Sequence, residues 1–167
     1  MFRTYKDDKE FYDSLPRKRM GAGVLLFYKN DLMIVQPTYN PGWIIPGGTV
    51  ESEESPLEAV RREVKEETNI DAQITHLIAV DYVHNLDVKG EYLQFLFAAK
   101  ELSEFDVQRI KIPPLELKDY KFVSVETALT MLTPGLARRV ESALMAQETR
   151  SCLYLEDGRA WNMAKVP

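Results

Sequence analysis

The sequence predicts a single α/β domain, and three observations carry that expectation. Compact apolar runs rich in Val, Leu, Ile and aromatic residues recur in pairs. Two segments open with helix-start signals and continue with apolar residues at helical spacing. The 167 residues hold 45% apolar and 28% charged side chains, an ordinary balance for one globular core. No repeat or linker divides the chain, so the domain is expected to span residues 1–167, with a polar lead-in at 1–16 and a tail at 150–167.

In chain order, the lead-in ends in the basic cluster Arg17, Lys18 and Arg19, and MGAGVLLFY (20–28) reads as a buried strand. Lys29, Asn30 and Asp31 tolerate turn geometry, which makes LMIVQ (32–36) the returning strand of a hairpin. TYNPGWIIPGGTV is a loop with one short strand, where Gly47 and Gly48 let backbone approach another group closely. Ser55, Pro56, Leu57 and Glu58 form a capping box with Pro at the first helical position. The helix should run to about Thr68, with Leu57, Val60 and Val64 on one stripe and Asn69 supplying a left-handed stop.

AQITHLIAVDYVHN and EYLQFLFAAKEL predict a second antiparallel pair around a polar loop at 86–90. IKIPPLELKD is a Pro-bearing loop and YKFVSV the expected last strand. VETALTML and TPGLARRVESALMAQ read as helices; the second opens on Thr133 and Pro134 and should bury Leu136, Val140, Ala143 and Leu144.

A net charge of -5 and a pI near 5.2 argue against a nucleic acid polymer as partner, because phosphate neutralisation needs a basic surface. The lone Cys152 cannot close an internal disulfide, the N-terminal stretch lacks a signal peptide's apolar core, and no apolar run nears the roughly 20 residues of a membrane span. The expectation is a cytoplasmic protein without a membrane partner.

In RREVKEETNI, Glu63, Glu66 and Glu67 fall within an arc of about 100° on the predicted helix. Like charges at this spacing repel by some tenths of a kcal/mol per pair, which a bound cation would relieve. Hard oxygen donors on a rigid helix suit Mg²⁺ or Mn²⁺. For the helix alone, a solvated acidic face balanced by Arg61, Arg62 and Lys65 is an equal alternative. The preceding Gly47–Gly48 loop favours a polyphosphate site with its metal ions.

Residues 48–70, GTVESEESPLEAVRREVKEETNI, resemble the Nudix box, with Gly48, Glu54, Arg62, Glu63, Val64, Glu66, Glu67 and Ile70 in register. The pattern's second Gly is Asn69 here, a residue that reaches the same left-handed conformation at small cost. The resemblance covers roughly residues 17–147 and implies a Nudix-type α/β/α sandwich around a mixed β-sheet. It implies hydrolysis of a nucleoside diphosphate linked to another moiety, by water attack on phosphorus with Mg²⁺ or Mn²⁺. On the matching positions, Glu63, Glu66 and Glu67 correspond to metal ligands, one of them a candidate to take the proton of the water. Arg62 and Glu54 correspond to a pair that orients them, and Gly47 and Gly48 to the loop that closes on metal and phosphate.

The resemblance also implies a further carboxylate before a late strand, for which Glu116 is the candidate, against an ordinary loop acid. Trp43, Tyr39 and Tyr82 are candidates to stack on the substrate's head group, or to pack as core and rim. His76 and His84 lack metal-site spacing, and Arg138 and Arg139 are expected on the solvated face of a late helix. SCLYLEDGRAW either serves a homodimer or covers the protomer's own sheet. Two other activities stay open on this fold: a non-catalytic nucleotide-binding or regulatory module, and an isoprenoid diphosphate isomerase, which wants a reactive Cys that here lies only in the tail.

Overall fold

The computed structural model describes residues 7–84, 90–149 and 151–161, and all structural statements refer to these; the loop expected at 86–90 lies outside them except for Gly90. A short helix α1 (Asp8–Asp13), N-capped by the Asp7 side chain, precedes the first strand. The run 20–28 is not one strand but two: β1 (Arg19–Leu25) and β2 (Phe27–Tyr28), separated at the fully buried Leu26 and belonging to different sheets. Only β2 forms the expected hairpin with β3 (Asp31–Pro37), through Lys29 and Asn30 at φ 48° and 68°. Because both halves are buried, the apolar pattern runs through without marking the break.

β4 (Gly47–Thr49) leads into α2 (Pro56–Thr68), whose capping box is complete: Ser55 accepts from the Glu58 N–H and the Glu58 carboxylate accepts from the Ser55 N–H. Asn69 ends the helix at φ 63°, and its Nδ2 donates to the Arg109 carbonyl at 3.3 Å. β5 (Ile74–Val83) and β6 (Tyr92–Ala99) are antiparallel as expected. A short helix α3 (Glu104–Gln108) follows, then β7 (Leu117–Val123), α4 (Val125–Met131) and α5 (Pro134–Thr149). β7 starts before YKFVSV and is not the last strand: the tail folds into β8 (Leu153–Glu156) and β9 (Arg159–Ala160).

The strands make a mixed six-stranded sheet, β4-β1-β6-β5-β8-β9, and an antiparallel three-stranded sheet, β2-β3-β7. In the larger sheet β1–β6 and β5–β8 are parallel and the other pairs antiparallel. Ala59, Val60 and Val64 of α2 close one face over Ala22, Val24, Phe97, Met33 and Val35. Ala128 of α4 and Val140 and Ala143 of α5 close the other over Leu25, Leu96, Ile78, Leu32, Ile34 and Leu155. Alternate residues of β3 therefore feed opposite cores, and the result is the expected α/β/α sandwich with two sheets in its middle layer. Leu57 departs from the expected stripe and stands 36% exposed in the first turn of α2.

SCLYLEDGRAW neither covers the sheet nor lies apart from it but extends it at its edge, β8 running parallel to β5 and β9 turning back on it. The turn requires Gly158 at φ 77°, where a Cβ would lie 2.8 Å from the Arg139 nitrogen and 3.0 Å from the Gly135 carbonyl. Among the described residues no helix is long and apolar enough to cross a membrane.

Candidate active site

Capping fixes where α2 begins, and so the angle at which its carboxylates leave the helix beside β4. Arg62 holds the group together. Its Nε and Nη2 donate to the two oxygens of Glu54 at 2.9 and 3.0 Å, a bidentate pair, and Nη2 also donates to the Thr49 carbonyl at 3.1 Å. Its Nη1 donates to Glu63 Oε1 at 2.9 Å and Glu66 Oε2 at 3.1 Å. Glu67 is 7% exposed and takes the Gly47 N–H on Oε2 at 2.9 Å. Each of the three carboxylates thus has one oxygen held in place, while Glu63 Oε2, Glu66 Oε1 and Glu67 Oε1 have no hydrogen-bond partner among the described residues.

The electrostatics follow from burial and crowding. Burial pushes the Glu67 carboxyl up to about 8, the Gly47 N–H opposes this, and Glu63, Glu116 and Glu66 add repulsion. Glu63 is also raised, first by burial and against the pull of Arg62. Glu54 is held below the usual carboxylate range, first by its bond from Arg62, and Arg62 is correspondingly held fully protonated. Gly48 lies directly against Glu63, so that a Cβ there would collide with the carboxyl group.

The donor chemistry fits a hard divalent cation: three carboxylates with free oxygens, two of them raised by burial and then by mutual repulsion, against a backbone without a side chain. Among the described residues no three such groups stand in a metal-holding constellation; Arg62 and Gly47 hold one oxygen of each carboxylate.

The remaining predicted residues separate. Glu116, exposed ahead of β7, raises Glu63, Glu67 and Tyr39 through space and so faces the same cluster. The Tyr39 hydroxyl is raised by lost hydration and by Glu67, Glu63 and Glu116; with 82% of the residue in solvent, the carboxylates are the better physical reason. Trp43 packs on the core under α4 and α5 with Lys121 4.9 Å from its ring centroid, which makes it rim rather than a free platform. Tyr82 points to Glu91 and stacks edge-on with His84 at 4.6 Å. His84 donates its backbone N–H to Asp157, whose carboxylate also meets its Nδ1, and His76 is exposed on β5.

Arg139 overturns the expectation of a solvated pair at 138 and 139. It is 7% exposed, with Nε 2.6 Å from Asp81 Oδ2, while Asp81 is fully buried and takes the Gly158 N–H at 3.0 Å on its other oxygen. An acid in the middle of the apolar run IAVDYV needs a buried cation, and that was the signal available in the sequence. On the α5 side of β4, Gly47, Gly48, Gly21, Gln94, Tyr92 and Arg139 line a cavity of about 230 Å³.

A sandwich whose capped helix carries oriented carboxylates behind a glycine strand defines the class. A family model described as NUDIX domain matches residues 17–143, and the chain belongs to the Nudix family. It is similar to Nudix hydrolase 8 of Arabidopsis thaliana, 29% identical over 107 residues, which is 61% of this chain and 28% of that protein. It is also similar to diphosphoinositol polyphosphate phosphohydrolase 3-alpha of Mus musculus, 36% identical over 73 residues and 44% of each chain. The chain thus spans less than half the length of these curated relatives. Among solved structures, the MutT protein from Methanosarcina mazei Go1 superposes with a TM-score of 0.65 at 20% identity, covering 82% of this chain and 99% of that one.

Proposed function

We propose that the chain hydrolyses the diphosphate bond of a nucleoside diphosphate linked to another moiety, by water attack on phosphorus. The observation that carries this reading is the three carboxylates on α2 with one oxygen oriented and one free. Glu63, Glu66 and Glu67, with the backbone of Gly48, would hold Mg²⁺ or Mn²⁺, which supplies positive charge against the diphosphate and acidity to bound water. Arg62, anchored by Glu54, keeps Glu63 and Glu66 aimed in the same direction. One of the free carboxylate oxygens, or Glu116, accepts the proton of the attacking water. Tyr39, exposed beside the cluster, meets the head group.

The name of the mouse relative and that of an ADP-ribose pyrophosphatase from Streptococcus suis with a similar fold (TM-score 0.61, 20% identity) make both compound types part of the panel to test. We read residues 1–167 as one domain acting on small molecules in the cytoplasm, where the exposed Cys152 stays a free thiol. That thiol precedes β8, toward the opposite end of the sheet from β4, which disfavours the isomerase reading.

The experiment is a hydrolysis screen over ADP-ribose, nucleotide sugars, dinucleoside polyphosphates, nucleoside triphosphates and diphosphoinositol polyphosphates with Mg²⁺ and Mn²⁺, reading products by mass. The best substrate is then given to the Glu66→Gln and Glu67→Gln variants. A loss of about 100-fold or more in each is expected; full activity in both would sink the assignment.

A further inference from the structure

A second cavity, of about 660 Å³, lies between α5, the end of β5 and the turn of the β8–β9 hairpin. It shares Ile44, Tyr92, Leu136 and Arg139 with the cavity beside Gly47 and Gly48, so the two make one groove running from β4 to the hairpin. Arg138 and Arg159 line its far end and Arg139 stands at the junction, three arginines in a protein whose net charge is -5. Neither Arg138 nor Arg159 has an acidic partner among the described residues. Arg138 gives only its Nε to the Asp157 carbonyl, at 3.2 Å.

The surroundings leave Arg138, Arg159 and the Nη groups of Arg139 to meet an anion. The acid on the same wall, Asp157, is engaged by the N–H and ring of His84 at 2.9 and 3.0 Å. Arg139 is 7% exposed and spends its Nε on Asp81, yet it lines both cavities, and its Nη groups have no hydrogen-bond partner among the described residues. A Cβ on Gly135 would stand 3.9 Å from Arg138 Nη2, which puts that guanidinium over the first turn of α5, where backbone N–H groups lack helical acceptors. Planar guanidinium forks beside such a turn match the oxygens of a phosphate better than a single carboxylate.

We propose that the hairpin end of the groove is a subsite for a second phosphate, so that the substrate is a diphosphate-linked compound carrying a phosphate monoester at its other end. The substrate part of this inference rests on the diphosphate-hydrolysing reading of the α2 carboxylates; the anion subsite does not. Tyr92, Leu136 and Ile44 form the waist between the glycine end at β4 and the arginine end, and take the uncharged part of the molecule.

Two measurements test it. Matched pairs differing by one remote phosphate, ADP-ribose with its 2′-phosphate and dephospho-coenzyme A with coenzyme A, are compared by kcat/KM in the wild type and in Arg159→Gln, a change at an exposed position. The ratio of phosphorylated to unphosphorylated member should exceed one in the wild type and fall about 10-fold or more in the variant; an unchanged ratio overturns the inference. Independently, inorganic phosphate is titrated by calorimetry in the presence of a chelator, with Arg138→Gln/Arg159→Gln as comparison and Tm recorded for both proteins. Binding that weakens in the double variant and with added salt is expected. Absent binding, or equal binding by both proteins, overturns the subsite. Phosphate bound at the arginines with no pair hydrolysed would keep the subsite and discard the hydrolytic reading instead.

Discussion

Arg62 meets Glu54 through two parallel hydrogen bonds of 2.9 and 3.0 Å, and this leaves one guanidinium nitrogen, Nη1, to serve both Glu63 and Glu66. Glu54 therefore acts on the α2 carboxylates without touching them. An ammonium group has no such fork and cannot satisfy both sides at fixed angles. In Arg62→Lys, hydrolysis should fall about 10-fold or more, with the Mn²⁺ concentration for half activity moving upward. Activity titrated against Mn²⁺ checks this, and an unchanged metal curve would count against the orienting role.

Gly48→Ala should separate activity from folding. The added Cβ meets the Glu63 carboxyl, the far end of a side chain that can swing off Arg62, so the fold survives with the carboxylate misaimed. We expect a fall in kcat of about 10-fold or more with Tm lowered by only a few degrees. A large loss of Tm with full residual activity would show that the contact is structural.

For Glu67, the folded protein holds the carboxyl proton up to about pH 8, against an ordinary value of 4.5. The folded state therefore binds more protons than the unfolded one across that window. Its contribution is fully present below the ordinary carboxylate range and drains away as pH rises toward 8. Glu67→Gln cannot ionise. In chelator, its stability relative to wild type should rise between pH 5 and pH 8, by at most about 1.4 kcal/mol per pH unit. Urea denaturation at several pH values reads the gap, and a gap constant with pH would contradict the burial argument.

The buried pair Asp81–Arg139 predicts an asymmetric result. Removing one partner, as in Asp81→Ala, leaves a buried charge and should cost about 3–5 kcal/mol. Replacing both, as in Asp81→Leu with Arg139→Met, should recover much of that loss. Denaturant midpoints of the single and double variants decide it; additive losses would mean that the two side chains act independently.

Much of this molecule could be read from its residues. The capping box at Ser55, the stop at Asn69 and the clustering of Glu63, Glu66 and Glu67 are local, governed by helix spacing and side-chain chemistry alone. The break at Leu26 was not legible, because a strand buried on both faces stays apolar whichever sheet it joins. The tail hid its role for another reason: in β8 only Leu155 is fully buried, and its pairing partner β5 lies some 70 residues earlier. Arg139 was misplaced because the helical pattern gave no sign of the acid it would meet across α5 and the sheet.

Asn69 stands where the family pattern has glycine. A glycine would make the same left-handed turn but would bring no amide to the Arg109 carbonyl, which Asn69 holds at 3.3 Å while the Lys111 N–H reaches the Thr68 carbonyl at 3.0 Å. The end of α2 is in this way moored to the segment that runs on through Pro113 to Glu116. Two carboxylate-bearing elements far apart in the chain, one a helix and one a loop, are thus fastened to each other at their base, while the backbone of Glu116 is held by its own turn and by the Thr38 N–H.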